Sequence, residues 1–333
     1  MKLTKDDMTT SNDVVIRTHD LSKKFGDSVA VDRVTMTIPR GSIFGFIGPS
    51  GCGKTTTMRL LLGIYQATGG VVEVLGRSPD HFTTADRQRI GYMPQLFVMY
   101  PDLSIWENLN FAASLYGMPL RRHKRLHELL DLVELTGHEH KLARNISGGM
   151  RQRLSLAAAL VHNPDLIFLD EPTAGIDPVL RNKFWEHFEH LKAEGHSLFV
   201  TTQYVGEAAY CDYVGVMSGG RLLMVERPDD LRRRALGGDV ITVKPNHILD
   251  YQQLRELRSQ PFVRDRKVSI NDDLSLQVVV EDTGTALPAI FTWLDGQGLT
   301  VETAGEYNPP FDDVFVMLLE QEAARAGSVK SNE

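Results

Sequence analysis

Gly48-Pro49-Ser50-Gly51-Cys52-Gly53-Lys54-Thr55, followed by Thr56, is the stretch that decides the fold. It matches the pattern G-x-x-x-x-G-K-[ST] in full. The glycines let the backbone curl so that successive N–H groups point at phosphate oxygens. The lysine adds positive charge for the β- and γ-phosphates, and the threonine hydroxyl is a ligand for Mg²⁺. The sequence therefore predicts a phosphate-binding loop that runs from Gly48 to Thr56.

The loop has the flanking elements that its chemistry needs. A short apolar run, Ser42–Ile47, precedes it, and a helical pattern from Lys54 to Leu62 follows it. The helix directs the positive end of its dipole at the bound anion. A chance match in a Gly-rich loop would lack this context. Cys52 also allows a redox-sensor interpretation, but a small loop residue is the simpler explanation.

A second apolar strand ends in two carboxylates. Leu166–Leu169 is followed directly by Asp170 and Glu171. The aspartate can hold Mg²⁺, and the glutamate can orient an attacking water or take its proton. Two acids can also simply end a strand at the surface. Together with a phosphate-binding loop, however, they predict hydrolysis of a nucleoside triphosphate.

One further motif carries a family resemblance. Ser147-Gly148-Gly149-Met150, upstream of the acidic strand, resembles the signature of ABC transporters. From about Asp13 to Leu236 the chain resembles an ABC nucleotide-binding domain, with several motifs in the family's order. The resemblance implies an α/β P-loop NTPase fold with a mixed sheet core, an antiparallel β subdomain and a helical subdomain over about 96–160. It also implies an ATPase that produces ADP and phosphate, with ATP and Mg²⁺ bound.

The resemblance assigns roles to individual positions. It implies that Phe25 stacks on adenine and that Asp177, in the D-loop, crosses a dimer interface. Ser147 and Gly149 would contact the γ-phosphate held by the other protomer. The implied catalytic set is Glu171, Gln203 and Gln95, and the implied Mg²⁺ set is Thr55, Gln95 and Asp170. Ordinary alternatives stay open: Phe25 as a core residue, Gln95 as a polar loop residue, and Asp177 as a helix N-cap.

Two positions depart from the usual family pattern. Met150 stands where the signature usually ends in glutamine, and Gln203 stands where a switch histidine is expected. Glutamine can donate a hydrogen bond to a γ-phosphate but carries no positive charge, so slow turnover is expected. Both departures, and the ending Pro310–Phe315, resemble the daunorubicin-type drug-resistance branch. That branch pairs with ABC-2-type permeases and exports.

A second domain is predicted after Gly237-Gly238. The predicted organisation is a tail over 1–13, an ATP-binding domain over 14–236, an accessory α+β domain over 240–326 and a tail over 327–333. The accessory domain shows the order β-α-β-β-α-β, which is the split-βαβ pattern. Its predicted elements are Val240–Val243, Asp250–Leu257, Phe262–Ile270, Leu274–Val280, Ala286–Leu294 and Thr300–Thr303, with a last helix near Asp312–Gln321.

Composition limits the setting and the partners. The 43 acidic and 36 basic side chains give a net charge of −7, which argues against a nucleic-acid partner. Two cysteines, Cys52 and Cys211, fit a reducing cytoplasmic setting without a disulfide framework. No apolar run approaches the roughly 18 residues of a membrane helix. These features fit a cytoplasmic setting. The family resemblance implies that an ABC-2-type permease holds the protein at the membrane and that the protein works as a homodimer.

The sequence also predicts two surface features and leaves three alternatives to an exporter open. The apolar run Leu96–Tyr100 predicts either a contact patch for the permease or ordinary core, and the basic run Arg121–Arg125 predicts a solvated helix face. A soluble ABC-type ATPase acting on ribosomes or DNA stays open as an alternative, as does a regulatory nucleotide-binding module. Within transporters, an importer also stays open.

Overall fold

The structure, a computed structural model, describes residues 13–96 and 98–330, with the backbone alone at 323 and 325–330. The chain divides into two compact units between Glu226 and Arg227. The predicted first domain extended further, to 236, because the glycine pair at 237–238 was taken as the boundary. The helix over 228–236 instead lies in the second unit, where it contacts the C-terminal helix.

The first unit contains two sheets and a run of helices. Its strands, among the described residues, are β1 (Val14–Phe25), β2 (Ser28–Pro39), β3 (Ile43–Ile47), β4 (Gly69–Val74), β5 (Ile90–Met93), β6 (Leu166–Asp170), β7 (Ser197–Thr202), β8 (Tyr213–Ser218) and β9 (Arg221–Glu226). Its α-helices over the same part of the chain are α1 (Lys54–Leu61), α2 (Thr84–Arg87), α3 (Ile105–Leu115), α4 (His123–Leu132), α5 (Gly148–Leu160) and α6 (Pro178–Ala193).

The larger sheet has the order β5-β6-β7-β3-β8-β9. Its strands pair in parallel except β9, which runs antiparallel to β8. Every residue of β3, β6 and β7 is buried, as expected for parallel strands covered on both faces. Because β3, β6 and β7 are neighbours, the loops that follow their carboxyl ends meet at one edge of the sheet. The phosphate-binding loop, Glu171 and Gln203 lie in those loops, and Asp170 is the last residue of β6.

The smaller sheet is antiparallel, with the order β2-β1-β4. Strand β1 runs to Phe25, and Gly26-Asp27 forms the turn to β2. Strands β4 and β5 were not predicted. Strand β4 begins with two glycines and β5 has four residues, so neither gives a clear periodic pattern.

Helices α3, α4 and α5 fall within the predicted helical subdomain. The apolar positions of α4 recur on one face, and Leu126, Leu129 and Leu130 are buried as their spacing predicts. The prediction of a solvated basic run was wrong at Arg122, which is buried. Its guanidinium donates to Asn110 Oδ1 at 2.6 Å and to the Met118 carbonyl at 3.1 Å, so it ties α3 to the turn before α4.

The second unit shows the predicted β-α-β-β-α-β order, preceded by α7. Its elements in the described residues are α7 (Pro228–Leu236), β10 (Asp239–Pro245), α8 (Tyr251–Arg258), β11 (Val268–Ile270), β12 (Leu276–Val280), α9 (Thr283–Gly296), β13 (Val301–Glu306) and α10 (Phe311–Lys330). The strands form an antiparallel sheet of order β11-β12-β10-β13. Strand β11 is shorter than predicted because a 3-10 turn at Arg264–Arg266 precedes it.

The fold class predicted from the sequence is confirmed by this arrangement. A mixed sheet, an antiparallel sheet and a helical segment make up the first unit, and a small α+β sheet makes up the second. No helix in the described part of the chain combines the length and the apolar character that crossing a membrane requires.

Candidate active site

The phosphate-binding loop joins β3 to α1 and is packed closely against its surroundings. Gly53, the N-cap of α1, has φ 109°, and a Cβ there would lie 2.5 Å from the Ala30 carbonyl oxygen. A Cβ on Gly48 would lie 2.2 Å from the carbonyl oxygen of Met217. Both positions therefore require glycine, one for conformation and both for space. This packing fixes the path of the loop before its polar groups are considered.

Cys52 lies inside this loop and is buried. Burial raises the pKa of its thiol, an effect that the nearby Lys54 opposes in part. A buried, protonated thiol is a poor nucleophile, so the environment favours the structural interpretation of Cys52 over a redox sensor.

Lys54 is the buried cation of the site. Its ammonium donates to the carbonyl of Gly48 at 2.7 Å and to that of Pro49 at 3.1 Å. The same nitrogen lies 3.9 Å from Glu171 Oε1. The lysine charge is thus held between the loop carbonyls and the carboxylate of Glu171, the residue after β6.

Asp170 ends β6 with its side chain turned to the loop. Its Oδ1 accepts hydrogen bonds from Thr55 Oγ1 at 3.1 Å and from Thr201 Oγ1 at 2.6 Å. Thr201 belongs to the neighbouring strand β7 and is fully buried. The carboxylate therefore has a fixed position beside the threonine that the loop motif assigns to Mg²⁺.

Glu171 leaves the strand in a left-handed conformation, with φ 50°. Its N–H donates to the Thr201 backbone carbonyl at 3.1 Å, and its Oε2 accepts from Gln95 Nε2 at 2.9 Å. Adjacent strand residues point to opposite faces. The change of backbone conformation at the strand end lets both carboxylates serve the same loop. Gln95, which follows β5, reaches the site from the other side.

Five predicted side chains are therefore brought together: Lys54, Thr55, Gln95, Asp170 and Glu171. Phe25 is 46% exposed and packs edge-on against Tyr65, with the two ring centroids 5.4 Å apart. The Lys23 ammonium lies 5.0 Å from the centre of the Phe25 ring. The alternative that Phe25 is a core residue does not fit this exposure. A partly exposed aromatic ring of this kind can stack on a planar ligand.

The remaining predicted residues lie at exposed element ends. Ser147 is the N-cap of α5 and accepts from the Met150 N–H, while Gln203 directly follows β7. Asp177 is the N-cap of α6, so its ordinary structural interpretation is correct. Within the described residues, no hydrogen bond or ion pair joins Ser147, Asp177 or Gln203 to the phosphate-binding loop.

Sequence reasoning missed Thr201. It occupies a β-branched position in a strand and looks like any other strand residue. The useful signal was its polarity inside a fully buried run next to the acidic strand. Among the described residues, no group of three or more His, Cys, Asp or Glu side chains is arranged to hold a metal ion by itself.

The chain is similar in sequence and structure to known proteins. The family model described as ABC transporter matches residues 31–174. The "Nod factor export ATP-binding protein I" of Cupriavidus pinatubonensis is 37% identical over 231 residues, which are 69% of this chain and 71% of that protein. The chain belongs to the ABC transporter family. The predicted family membership is therefore confirmed.

Other ABC proteins show the same likeness over different shares of their length. The "Probable multidrug ABC transporter ATP-binding protein YbhF" of Escherichia coli K12 is 38% identical over 230 residues, or 68% of this chain. The match spans only 39% of that relative. A solved structure, the "Dimeric structure of a post-hydrolysis state of the ATP-binding cassette MJ0796 bound to ADP and Pi", aligns with TM-score 0.59 and 25% identity. That alignment covers 64% of this chain and 98% of the cassette.

Proposed function

We propose that this ABC subunit hydrolyses ATP to drive export through a separate ABC-2-type membrane permease. The observation that carries the proposal is the convergence of Lys54, Thr55, Gln95, Asp170 and Glu171 on one loop. A phosphate-binding loop with a carboxylate poised beside it supports hydrolysis as well as binding. The names of the relatives from Cupriavidus and Escherichia coli, and the resemblance carried by Met150 and Gln203, support export.

The oxygen donors beside the loop suit Mg²⁺. Thr55 Oγ1 and Asp170 Oδ1 are 3.1 Å apart, and hydroxyl and carboxylate oxygens are ligands that this ion prefers. Gln95 is the third proposed ligand. When bound, Mg²⁺ neutralises charge on the phosphate oxygens. Thr201 holds Asp170 for this role through its hydrogen bond to Oδ1.

Glu171 is the proposed base. The amide of Gln95 orients its carboxylate, and Lys54 provides nearby positive charge. The carboxylate can then position a water for attack on the γ-phosphate and accept its proton. Gln203 would donate a hydrogen bond to the γ-phosphate from the end of β7.

The signature supports ATP shared between two copies of this chain. Ser147 lies exposed at the N-terminus of the 13-residue helix α5, and helix N-termini bind phosphate. In a head-to-tail homodimer, Ser147, Gly148, Gly149 and Met150 of one protomer would close over the ATP held by the loop of the other. The dimeric cassette bound to ADP and Pi supports the proposal that this chain also dimerises.

Crosslinking tests this arrangement directly. A variant with Ser50→Cys and Ser147→Cys, made in a Glu171→Gln background, is treated with a short bis-maleimide with and without MgATP. Both native cysteines are buried, so background labelling should be low. We expect a covalent dimer only with MgATP and only when both new thiols are present. The single-cysteine variants are the controls, and a monomer under every condition would contradict the shared site.

An exposed apolar surface supports the permease contact. Leu96, Val98 and Tyr100 are 76%, 62% and 52% exposed, and the ring of Tyr100 packs edge-on against Phe111 at 4.9 Å. Phe97, the centre of the predicted patch, lies outside the described residues. The buried Asn108 fixes the segment by accepting from the Tyr100 N–H and donating to the Tyr100 carbonyl. Held apolar side chains of this kind are typical of an interaction site rather than of core.

Membrane association tests the permease contact, which would place this subunit at the cytoplasmic face of the cell membrane. Leu96→Asp should shift the tagged protein from the membrane fraction to the soluble fraction of its native cell. Val71→Asp is the matched control, since Val71 is 61% exposed but lies on β4 of the antiparallel sheet. Equal membrane association of the two variants would exclude this surface as the docking site.

A further inference from the structure

Glu207 is a buried carboxylate that the proposed cycle does not use. It is 2% exposed and lies in the short 3-10 helix Val205–Tyr210, four residues beyond Gln203. Its Oε1 accepts from Thr173 Oγ1 at 2.6 Å and lies 3.5 Å from Arg181 Nε. Its Oε2 is buried and has no hydrogen-bond partner in the described part of the chain. Burying a carboxylate with one oxygen unsatisfied is unfavourable, so the arrangement calls for a physical reason.

The first partner of Glu207 leads to the acidic strand. Thr173 is fully buried and stands two residues beyond Glu171. The chain turns over residues 171–174, where the Ala174 N–H donates to the Glu171 carbonyl at 3.1 Å. The direction in which Glu171 leaves β6 is therefore fixed in part by the bond between Thr173 and Glu207.

The second partner leads to the first turn of α6. The Arg181 N–H donates to the carbonyl of Asp177 at 2.9 Å, so Arg181 is one turn into the helix that Asp177 caps. The same guanidinium lies 4.2 Å from the ring centre of Tyr204, the residue after Gln203. One arginine thus spans the start of α6 and the segment that carries Gln203.

The same turn of α6 touches the signature. A Cβ built on Gly149 would lie 2.7 Å from Leu180 Cδ2, a separation too short for real side-chain contacts. The neighbour of Arg181 therefore packs directly on the glycine that would serve the partner's ATP. A displacement of this turn must therefore move Leu180 relative to Gly149.

We infer that Glu207 is a positioning residue that locks three segments together: the turn after Glu171, the first turn of α6 and the segment after Gln203. This junction sets the hydrolytic groups of its own site and the signature that completes the other site. The inference rests on the proposed function, because it assumes ATP hydrolysis at shared sites. The phosphate-binding loop is not part of the junction.

Loosening the junction should therefore slow turnover without weakening nucleotide binding. Thr173→Val removes the hydroxyl at nearly constant volume, and Thr173→Ser keeps it. Glu207→Gln keeps an acceptor but loses the charge that faces Arg181. We expect Thr173→Val and Glu207→Gln each to lower kcat by about tenfold, since small misplacements of reacting groups are costly. Thr173→Ser should restore most of the rate.

The test uses the full chain and four measurements: kcat, KM, the Kd of a fluorescent ATP analogue, and Tm. Glu128→Gln is the control, because Glu128 lies on the surface of α4 and forms an exposed ion pair with Lys124 at 3.8 Å. The inference is supported if Kd stays within about twofold of the wild-type value while kcat falls. It also predicts that the double variant, Thr173→Val with Glu207→Gln, is no slower than the slower of the two single variants.

Three results would overturn the inference: unchanged kcat in both variants, a Kd that rises as kcat falls, or a Thr173→Ser variant as slow as Thr173→Val. A merely structural role would lower Tm and leave the kcat of the folded fraction unchanged. Failure of the proposed function looks different, because the wild-type chain itself would then hydrolyse no ATP.

Discussion

Glu171→Gln separates binding from hydrolysis most sharply. Glutamine has nearly the same shape, and its amide oxygen can still accept from Gln95 Nε2, which donates to Glu171 at 2.9 Å. What disappears is the negative charge 3.9 Å from Lys54 and the ability to take a proton. Lys54 keeps its hydrogen bonds to the carbonyls of Gly48 and Pro49, so its charge is not left isolated.

The two consequences differ in size. Because Lys54 retains its carbonyl partners, we expect the free energy of unfolding to change by about 1 kcal/mol, which is a Tm shift of about 2–4 °C. Loss of a general base typically costs about 10²- to 10⁴-fold in rate, or roughly 3–5 kcal/mol of activation free energy. The kinetic effect should therefore dominate, with a folded protein that binds ATP and barely turns it over.

Phosphate release measures turnover, and gel filtration with MgATP measures the dimer. We expect the variant to elute as a stable dimer with ATP while phosphate release falls by at least about 10²-fold. Glu128→Gln, a surface glutamate on α4, is the control and should match the wild type in both assays. Turnover by Glu171→Gln within about threefold of the wild-type rate would refute the assignment of the base.

Two further predictions concern stability. Gly53→Ala should cost about 2–4 kcal/mol and weaken ATP binding, because the new Cβ meets the Ala30 oxygen at 2.5 Å in a left-handed conformation. Gly51→Ala is its control in urea unfolding: Gly51 is also left-handed, at φ 76°, but has open space, and equal losses would contradict the packing argument. Burial lowers the pKa of His162, whose Nε2 lies 3.0 Å from the Ile90 carbonyl and whose buried Nδ1 lacks a partner in the described residues. The unfolded chain then binds more protons than the folded one, so stability is full above about pH 6.5 and falls as the pH drops. His162→Gln should reduce the difference in Tm between pH 7.5 and pH 5.5, and an unchanged difference would contradict the assignment.

The sequence was sufficient wherever function requires local spacing. The loop from Gly48 to Thr55 follows a pattern fixed by phosphate geometry, and Asp170 with Glu171 ends an unmistakable apolar strand. The meeting of these two motifs is explained by the rule that parallel strands deliver their loops to one edge. Gln95 was assigned to this site only through the family resemblance, and in the structure it donates to Glu171.

Contacts between segments distant in the chain could not be predicted from the sequence. Thr173, Arg181 and Glu207 carry no local pattern, and their meeting depends on how α6 and the 3-10 helix pack. The burial of Arg122 had the same cause: a basic run predicts solvent exposure unless tertiary partners are known. The division at Glu226 was missed because a helix start at Pro228 gives a weaker signal than two glycines.

The hydrogen bonds of Lys54 to carbonyls of its own loop have a consequence for which anions can bind. An incoming anion competes with two carbonyl oxygens at 2.7 and 3.1 Å that already satisfy the ammonium. A single phosphate ion gains little binding free energy beyond the two carbonyl hydrogen bonds that the lysine loses. A polyphosphate chain also binds the backbone amides of the phosphate-binding loop and the N-terminus of α1, which adds binding free energy. We therefore expect the lysine contacts to favour a polyphosphate chain over a single phosphate ion.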